Sequence, residues 1–582
     1  MAPIKSAGGG HLGEMMKIKE DVRWLQNSLM GSVRHWDFGG RSVVVILTVW
    51  IVAAVAFLWS RAFVVGYLLN HTFSYTETGY RVANGQLPGI DFTNAMGIFA
   101  FLPHALGYRL TGDLAQAVPI SFVIYSALIL LAALYISITR LDFPVGTAIS
   151  LTCSFVVMAP WILGYDSGSH LNPLTTAAMY YNRFGFASLV LVALLVIEPK
   201  MVRRTLAWRW DWLFSSAIFG MAFYTKMPFG LAVICLVAYW SFLIERASHH
   251  FKFFCVAIIL IMLAVELMAP GLNLAYFREM SFASHVVKTI RLRPMAFYAV
   301  RVIPELLVLC GLPMLLLYMT GRLHWRRAGF FVCLIGGSLV LRSVSTQGSA
   351  LLVPLAVATA VVAWLSRDLR SERDRLALAA AGLAFTSGIL NYFPPASASL
   401  LRHATIAGSL EPIHGLPKTY AGLRVPKDAD LASLQGAFEG TINPGEAYVS
   451  ARSQALPSVF DNLLPSEYVT SLDNLTIARA FCGNAGNRTA ILDFANVSSS
   501  FLAHPPVGGY TYVRFDRSFD EAFHLQPERM FSGVDCIFDP KLPVDPEVHK
   551  ELLLVYGTWL DGNFKQVGES EFWRVMVRKN PG

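Results

Sequence analysis

Charge is scarce in this chain: Lys, Arg, Asp and Glu supply 15% of its 582 residues, against roughly 25% in an ordinary soluble domain. With a mean hydropathy of +0.49, that shortage excludes a protein whose whole surface meets water. Several signatures are missing as well. There is no phosphate-binding P-loop, no dinucleotide fingerprint, no zinc-ligand spacing and no nucleotide-sugar motif, so none of those chemistries has a foothold. No cleavable leader is expected, because the first 41 residues are polar and basic and the first apolar run opens at Ser42. Cysteine is sparse: of the 7 in the chain, Cys153, Cys235, Cys255, Cys310 and Cys333 lie in apolar runs. The remaining two, Cys482 and Cys536, fall in polar sequence and are expected to form a disulfide in an oxidising compartment; two free thiols are the alternative.

What is abundant is apolar sequence, and it is unevenly placed. Long uncharged runs fill residues 42–395, whereas 396–582 has the mixed composition of a soluble domain, so two bodies are expected. A bilayer core about 30 Å thick needs about 20 apolar helical residues. Runs near that length occur at 42–64, 117–138, 143–163, 184–197, 212–224, 227–244, 252–270, 302–319, 328–342, 348–365 and 376–393. A further stretch, 95–110, reads as re-entrant or interfacial. In the segment 1–41, Met15, Ile18, Val22, Leu25 and Leu29 share one face of a helix among cations, the pattern of a helix lying in the headgroup plane or, alternatively, of one packed under the membrane domain.

Lys and Arg in the short connections orient the bundle. With the N-terminus cytoplasmic, Arg34, Arg41, Arg140, Lys200, Arg203, Arg204, Arg246, Arg322, Arg326, Arg327, Arg367 and Arg370 fall on the inner side. About eleven spans then place the C-terminal domain outside. The localisation implied is a bacterial inner membrane with a periplasmic C-terminal domain. Such membrane-facing cations account for the net charge of +8, and nucleic acid is not needed to explain it.

Charged groups at the outer face stand against this bias and are costly near lipid. The first outer loop, 65–116, carries Glu77, Tyr80, Arg81, Gly85, Pro88, Asp91 and Phe92, with Gly97 before the apolar stretch. The outer loop 271–301 carries Arg278, Lys288, Arg291, Arg293 and Arg301 against one acid, Glu279. Further polar groups on this face are Asp166, His170, Tyr180, Tyr181, Asn182, Arg183, Lys226, Arg342, Ser345 and Gln347. Transfer of a sugar from a lipid phosphate to a hydroxyl would need a carboxylate to draw the acceptor's proton, and Asp91 or Glu77 is placed for it. It would also need cations for the departing phosphate, a role open to Arg278, Lys288, Arg291, Arg293, Lys226 and Arg342. The plainer alternatives are helix caps and surface ion pairs for the two acids, and contact with anionic lipid headgroups for the cations.

These residues resemble the GT-C glycosyltransferases, the multi-span class of the aminoarabinose transferases, protein O-mannosyltransferases and arabinosyltransferases. The likeness rests on the acid, aromatic and Gly-Pro-Asp-Phe pattern at Glu77, Tyr80, Gly85, Pro88, Asp91, Phe92 and Gly97. A second part is the Thr-Lys segment Tyr224-Thr225-Lys226-Met227-Pro228-Phe229-Gly230. The resemblance implies a polyprenyl-phosphate sugar donor, a base in the first outer loop, inversion at the anomeric carbon, and a glycan, glycolipid or protein acceptor. Substrate contacts are expected from Tyr80, Arg81, Asp166, His170, Tyr181, Asn182, Arg183 and Gln347. This chain departs from the common form in lacking an adjacent pair of acids after the first span; Glu77 and Asp91 stand fourteen apart. No cofactor is called for by any motif, and a divalent metal is left open.

Two other functions fit the same composition. An oligosaccharyltransferase or O-antigen-ligase-like enzyme would use a polyprenyl-pyrophosphate glycan and would suit the outer Arg residues. A lipid-linked sugar transporter or flippase would show repeats or midplane charges, and Glu266, near a span end, is the one such acid. In the C-terminal region, strand-like runs at 446–450, 489–493, 509–515, 534–538 and 572–578 alternate with helical ones at 473–481 and 545–562, which predicts an α/β domain. Phe572-Trp573-Arg574 reads as a terminal strand closing the sheet, Pro505-Pro506-Val507-Gly508-Gly509 as a turn.

Overall fold

The structure, a computed structural model, describes residues 36–64, 69–160, 180–199, 204–245, 248–286, 303–344, 352–367, 369, 371–409, 416–424, 465–483, 486–513 and 524–579. The headgroup-plane helix expected at 15–29 and the strand expected at 446–450 lie outside them.

Apolar runs without water satisfy their backbone most simply as helices, and helices make up most of the described residues between 36 and 409. They are α1 (Trp36–Trp59), α2 (Leu69–Ala83), α3 (Leu102–Thr111), α4 (Leu114–Arg140), α5 (Phe143–Met158), α6 (Tyr180–Ala193) and α7 (Arg204–Thr225). After these come α8 (Met227–Tyr239), α9 (Ser248–Met268), α10 (Leu272–Val286), α11 (Ile303–Met319), α12 (Trp325–Val344), α13 (Leu352–Ser366) and α14 (Glu372–Ser409). Each of the eleven apolar runs falls on one of these helices; α2, α3 and α10 lie between them. By length and composition, α4, α8 with its continuation to Ile244, α9 and the 372–405 part of α14 can cross a membrane. The apolar helices α1, α5, α6, α11 and α13 are shorter. The outside of the bundle is itself apolar, with Ile259, Leu263 and Leu267 of α9 and Leu376, Leu383 and Leu390 of α14 uncovered, rows that water-soluble bundles rarely leave bare.

Helix α4 defines the long axis. Asp113 caps its start, accepting from the amides of Ala115 at 2.8 Å and Gln116 at 3.2 Å. At its other end Arg140 is buried against Asp211 at 2.6 Å, and Arg367 reaches the Arg140 carbonyl at 3.1 Å. Arg367 also joins the Glu198 carbonyl, and Glu198 pairs with Arg327 at 2.8 Å. The cations of the short connections thus gather at this end. Twenty-seven residues at 1.5 Å each separate the two ends by roughly 40 Å.

The C-terminal domain docks at the Asp113 end. Strand β1 (Phe63–Val64) pairs in parallel with β2 (Leu423–Arg424), and the Gly422 amide donates to Asp113 at 2.5 Å. Its main sheet contains β3 (Thr489–Ile491), β4 (Cys536–Pro540), β5 (Phe564–Glu569) and β6 (Trp573–Arg578) in the order β3-β4-β6-β5. The first two are parallel and the others antiparallel. Helices α15 (Pro465–Ala478) and α16 (Pro546–Asn563) accompany it, and Cys482 and Cys536 are joined by a disulfide. Two readings are corrected here. Strand β6 is internal, because β5 continues directly from α16 and takes the edge; its Phe-Lys-Gln-Val-Gly-Glu run has too few β-formers to announce a strand. Tyr510 and Tyr512 form isolated bridges instead of a strand, the first to Thr93 of the helical region and the second to Ala495 of its own domain.

Candidate functional site

Helix α2 leads from the first long helix toward the C-terminal domain, and its acid is fully enclosed. Glu77 accepts from Arg81 Nε at 2.9 Å through one oxygen and from the Ser500 amide at 2.9 Å through the other; both side chains are 0% exposed. One turn apart on the same face, the pair also ties down the next domain, since Arg81 Nη1 donates to the Val507 carbonyl at 2.6 Å. Tyr80 donates to the His504 carbonyl at 3.2 Å, and Thr76 shares a hydrogen bond of 2.9 Å with Tyr420. The chemistry of Glu77 in this setting is that of a buried ion pair.

Asp91 stands in a different environment. Gln86–Phe92 form a tight turn in which the Asp91 carboxylate accepts from the Leu87 amide at 2.7 Å while the side chain remains exposed. Gly89 has φ +81°, and a Cβ there would come 3.2 Å from the Ala275 backbone of α10. Glycine therefore answers both the left-handed backbone and the close approach. Either side of the turn is held from the C-terminal domain: the Gln86 side chain donates through Nε2 to the Pro506 carbonyl at 3.4 Å and the Thr93 N–H to the Gly509 carbonyl at 2.7 Å. Arg529 donates to the Gly89 carbonyl at 3.3 Å and lies 3.6 Å from Glu279 of α10. Burial pushes the Glu279 carboxyl up to about 7, against the pull of Arg529.

Six residues beyond Asp91 the chain reaches Gly97, whose N–H donates to the Thr225 carbonyl at 3.2 Å. A Cβ on Gly97 would sit 2.1 Å from the Tyr224 carbonyl oxygen, so only glycine permits the approach. Lys226 follows at the junction of α7 and α8. Its ammonium lies 5.0 Å from the centre of the Tyr181 ring and 3.3 Å from Asn182 Oδ1. A six-residue stretch of chain spans at most about 20 Å, which bounds the separation of Asp91 from Gly97, the residue that touches the end of α7 next to this lysine. Arg278 is exposed on α10, one turn past the Ala275 on which the Asp91 turn packs.

Other expected site residues have different surroundings. Arg183 is buried, donates to the Val156 carbonyl at 3.1 Å and to that of Ala159, and so closes the C-terminus of α5. Tyr180 belongs to a buried aromatic cluster with Tyr75 and Tyr125. Glu266 accepts from the Gly271 amide at 2.6 Å and the Asn273 amide at 3.3 Å, which makes it the cap of α10. Asp166, His170, Lys288, Arg291, Arg293, Arg301, Ser345 and Gln347 lie outside the described residues, and of Arg342 only the backbone, in α12, is described. Among the described residues no three His, Cys, Asp or Glu side chains stand together as metal ligands.

Three participants escaped sequence reasoning. Ser500 acts through a backbone amide, which no side-chain pattern signals. Arg529 lies over four hundred positions from Gly89. Tyr276 is buried in α10 and reads in the sequence like any core aromatic.

No family model and no curated protein matches the chain. Two solved structures of ArnT from Cupriavidus metallidurans, an aminoarabinose transferase of the GT-C class, are similar to it. The complex with undecaprenyl phosphate aligns with a TM-score of 0.41 at 12% identity, and the apo form with 0.42 at 13%. In both, 92% of this chain and 97% of the other are covered. At such scores the likeness carries no argument, and the functional reading rests on this chain's own residues.

Proposed function

We propose that this protein is an inverting membrane glycosyltransferase that moves a sugar from a polyprenyl-phosphate donor to a cell-envelope glycan, glycolipid or protein at the outer membrane face. The observation that carries the reading is the Asp91 turn. The turn that carries this exposed carboxylate is held by the C-terminal domain on one side and packs on cation-bearing α10 on the other, and the chain six residues on, at Gly97, touches the end of α7 beside Lys226. All of this lies at the end of the bundle remote from the gathered short-loop cations, which is the end that the charge bias assigns to the outside.

In the proposed step Asp91 accepts the proton of the acceptor hydroxyl as that oxygen attacks the anomeric carbon. The bond from that carbon to the donor phosphate oxygen breaks on the opposite face, and its electron pair leaves with the polyprenyl phosphate. Attack opposite the leaving group inverts the centre. Lys226 and Arg278, joined by Lys288, Arg291, Arg293 and Arg342, stabilise the phosphate charge as it develops. Glu77 is the weaker candidate for the base, because both of its oxygens are engaged and none of it meets solvent. The eleven apolar helices are read as spans, and the C-terminal domain as periplasmic.

The test is Asp91→Asn in the full-length protein in nanodiscs, assayed with radiolabelled polyprenyl-phosphate sugars scanned over donors. The amide retains an oxygen for the Leu87 N–H, so the fold is kept while transfer falls about 10²-fold or more. Near-normal transfer would remove Asp91 from the role of base. Absence of transfer from every polyprenyl-phosphate donor by the unaltered protein would remove the reaction class.

A further inference from the structure

Helices α7 and α8 are collinear in sequence, separated by Lys226 alone. In a continuous helix the Met227 N–H would donate to the Phe223 carbonyl, four residues back. Here the Tyr276 hydroxyl of α10 is inserted into that bond: it accepts from the Met227 N–H at 2.7 Å and donates to the Phe223 carbonyl at 2.9 Å. The next bond in the ladder is diverted as well. The Thr225 carbonyl, which a continuous helix would present to the Phe229 N–H, accepts from Gly97 instead. Phe229 donates to the Lys226 carbonyl at 3.0 Å, and Pro228 has no N–H to contribute. Lys226 is left extended at φ −157° and ψ 113°, with its side chain over Tyr181. A side chain wedged into the ladder is a recognised cause of a helix break.

The wedge is firmly seated. Tyr276 is 3% exposed. Its neighbour Asn273 accepts from Tyr224 OH at 2.6 Å and donates to the Met262 carbonyl at 2.9 Å, and Glu266 caps the helix just upstream. One residue before Tyr276, Ala275 supports Gly89 in the Asp91 turn. A single turn of α10 therefore touches both the acid-bearing turn and the lysine-bearing break.

We propose that Tyr276 is a positioning residue that holds the α7–α8 break open and thereby places the Lys226 ammonium in register with the Asp91 turn. The wedge itself follows from the geometry, whereas its consequence for transfer rests on the reading of Lys226 as a ligand of the donor phosphate. Tyr276→Phe keeps the ring and removes both hydrogen bonds. In full-length protein in nanodiscs, labelling of Lys226 by an amine-reactive reagent, read by mass spectrometry on the peptide around residues 222–230, becomes several-fold faster in the variant as the ammonium leaves its place. Equal rates overturn the proposal. In the transfer assay Tyr276→Phe raises the donor KM roughly tenfold with a smaller change in kcat, the loss of hydrogen bonds that orient a charged group. Tyr276→Phe added to Lys226→Ala costs nothing beyond Lys226→Ala alone, because the tyrosine acts through the lysine. Losses that add overturn the proposal. Faster labelling in the variant of a protein that transfers no sugar supports the wedge and refutes the glycosyltransferase reading alone.

Discussion

Replacement of Glu77 tests how the C-terminal domain is held to the bundle. Its carboxylate neutralises Arg81 at 2.9 Å and receives the Ser500 amide at 2.9 Å, with both side chains 0% exposed. Glu77→Ala leaves a buried guanidinium with only carbonyl partners and a buried N–H with none. Breaking one partner of a buried pair costs about 3–5 kcal/mol. The orphaned amide adds about 1–3 kcal/mol, less whatever water recovers. The ion-pair part alone shifts the docking equilibrium by roughly two to three and a half orders of magnitude. Glu77→Gln is milder, since its amide oxygen still accepts from Ser500 while the charge is lost. The assay is limited proteolysis of the full-length protein with thermal unfolding alongside. Glu77→Ala is cleaved faster between the bundle and the C-terminal domain and melts lower, with Glu77→Gln in between. An Ala variant as resistant and as stable as the parent refutes the ion pair as the fastening. If Glu77→Gln lost transfer as completely as Asp91→Asn while its stability stayed unchanged, the division of roles between the two acids would be reversed.

Two further outcomes follow from the geometry. Gly97→Ala places a methyl 2.1 Å from the Tyr224 carbonyl oxygen; overpacking costs about 1–3 kcal/mol or more, so expression and melting temperature fall, and a variant as stable as the parent refutes the close approach. Glu279 has its folded-state carboxyl raised to about 7 from 4.5, so the folded protein binds the proton more tightly than the unfolded chain. Stability therefore declines as pH rises from about 4.5 to about 7 and levels off above. Melting curves over that range show the decline in the parent and a flatter profile in Glu279→Gln; parallel profiles refute the assignment.

The bundle was legible because its signal is local. Each of α1, α4–α9 and α11–α14 is an apolar run that solves its own backbone hydrogen bonding, so composition and length sufficed to find it. Asp91 was legible as a candidate because Gly89, Pro88 and Phe92 mark a turn beside an acid. What separated it from Glu77 was not: the two carboxylates look alike in the sequence, and only the fold shows one closed off by Ser500 and Arg81 and the other open. Strand β5 was missed for the opposite reason, a weak local pattern stabilised by its neighbour β6.

By itself, then, the order of residues determined where the apolar helices form and which acids and cations are candidates for a site, since those depend on hydropathy, spacing and charge within a few turns of chain. The tertiary structure alone decided that Tyr276 splits the α7–α8 helix, that Arg529 meets Gly89 and Glu279, and that backbone groups of residues 500–509 grip the segment 77–93. Those contacts join positions up to several hundred residues apart through amides, carbonyls and one hydroxyl, groups that nearly every sequence contains and that acquire meaning only from where folding puts them.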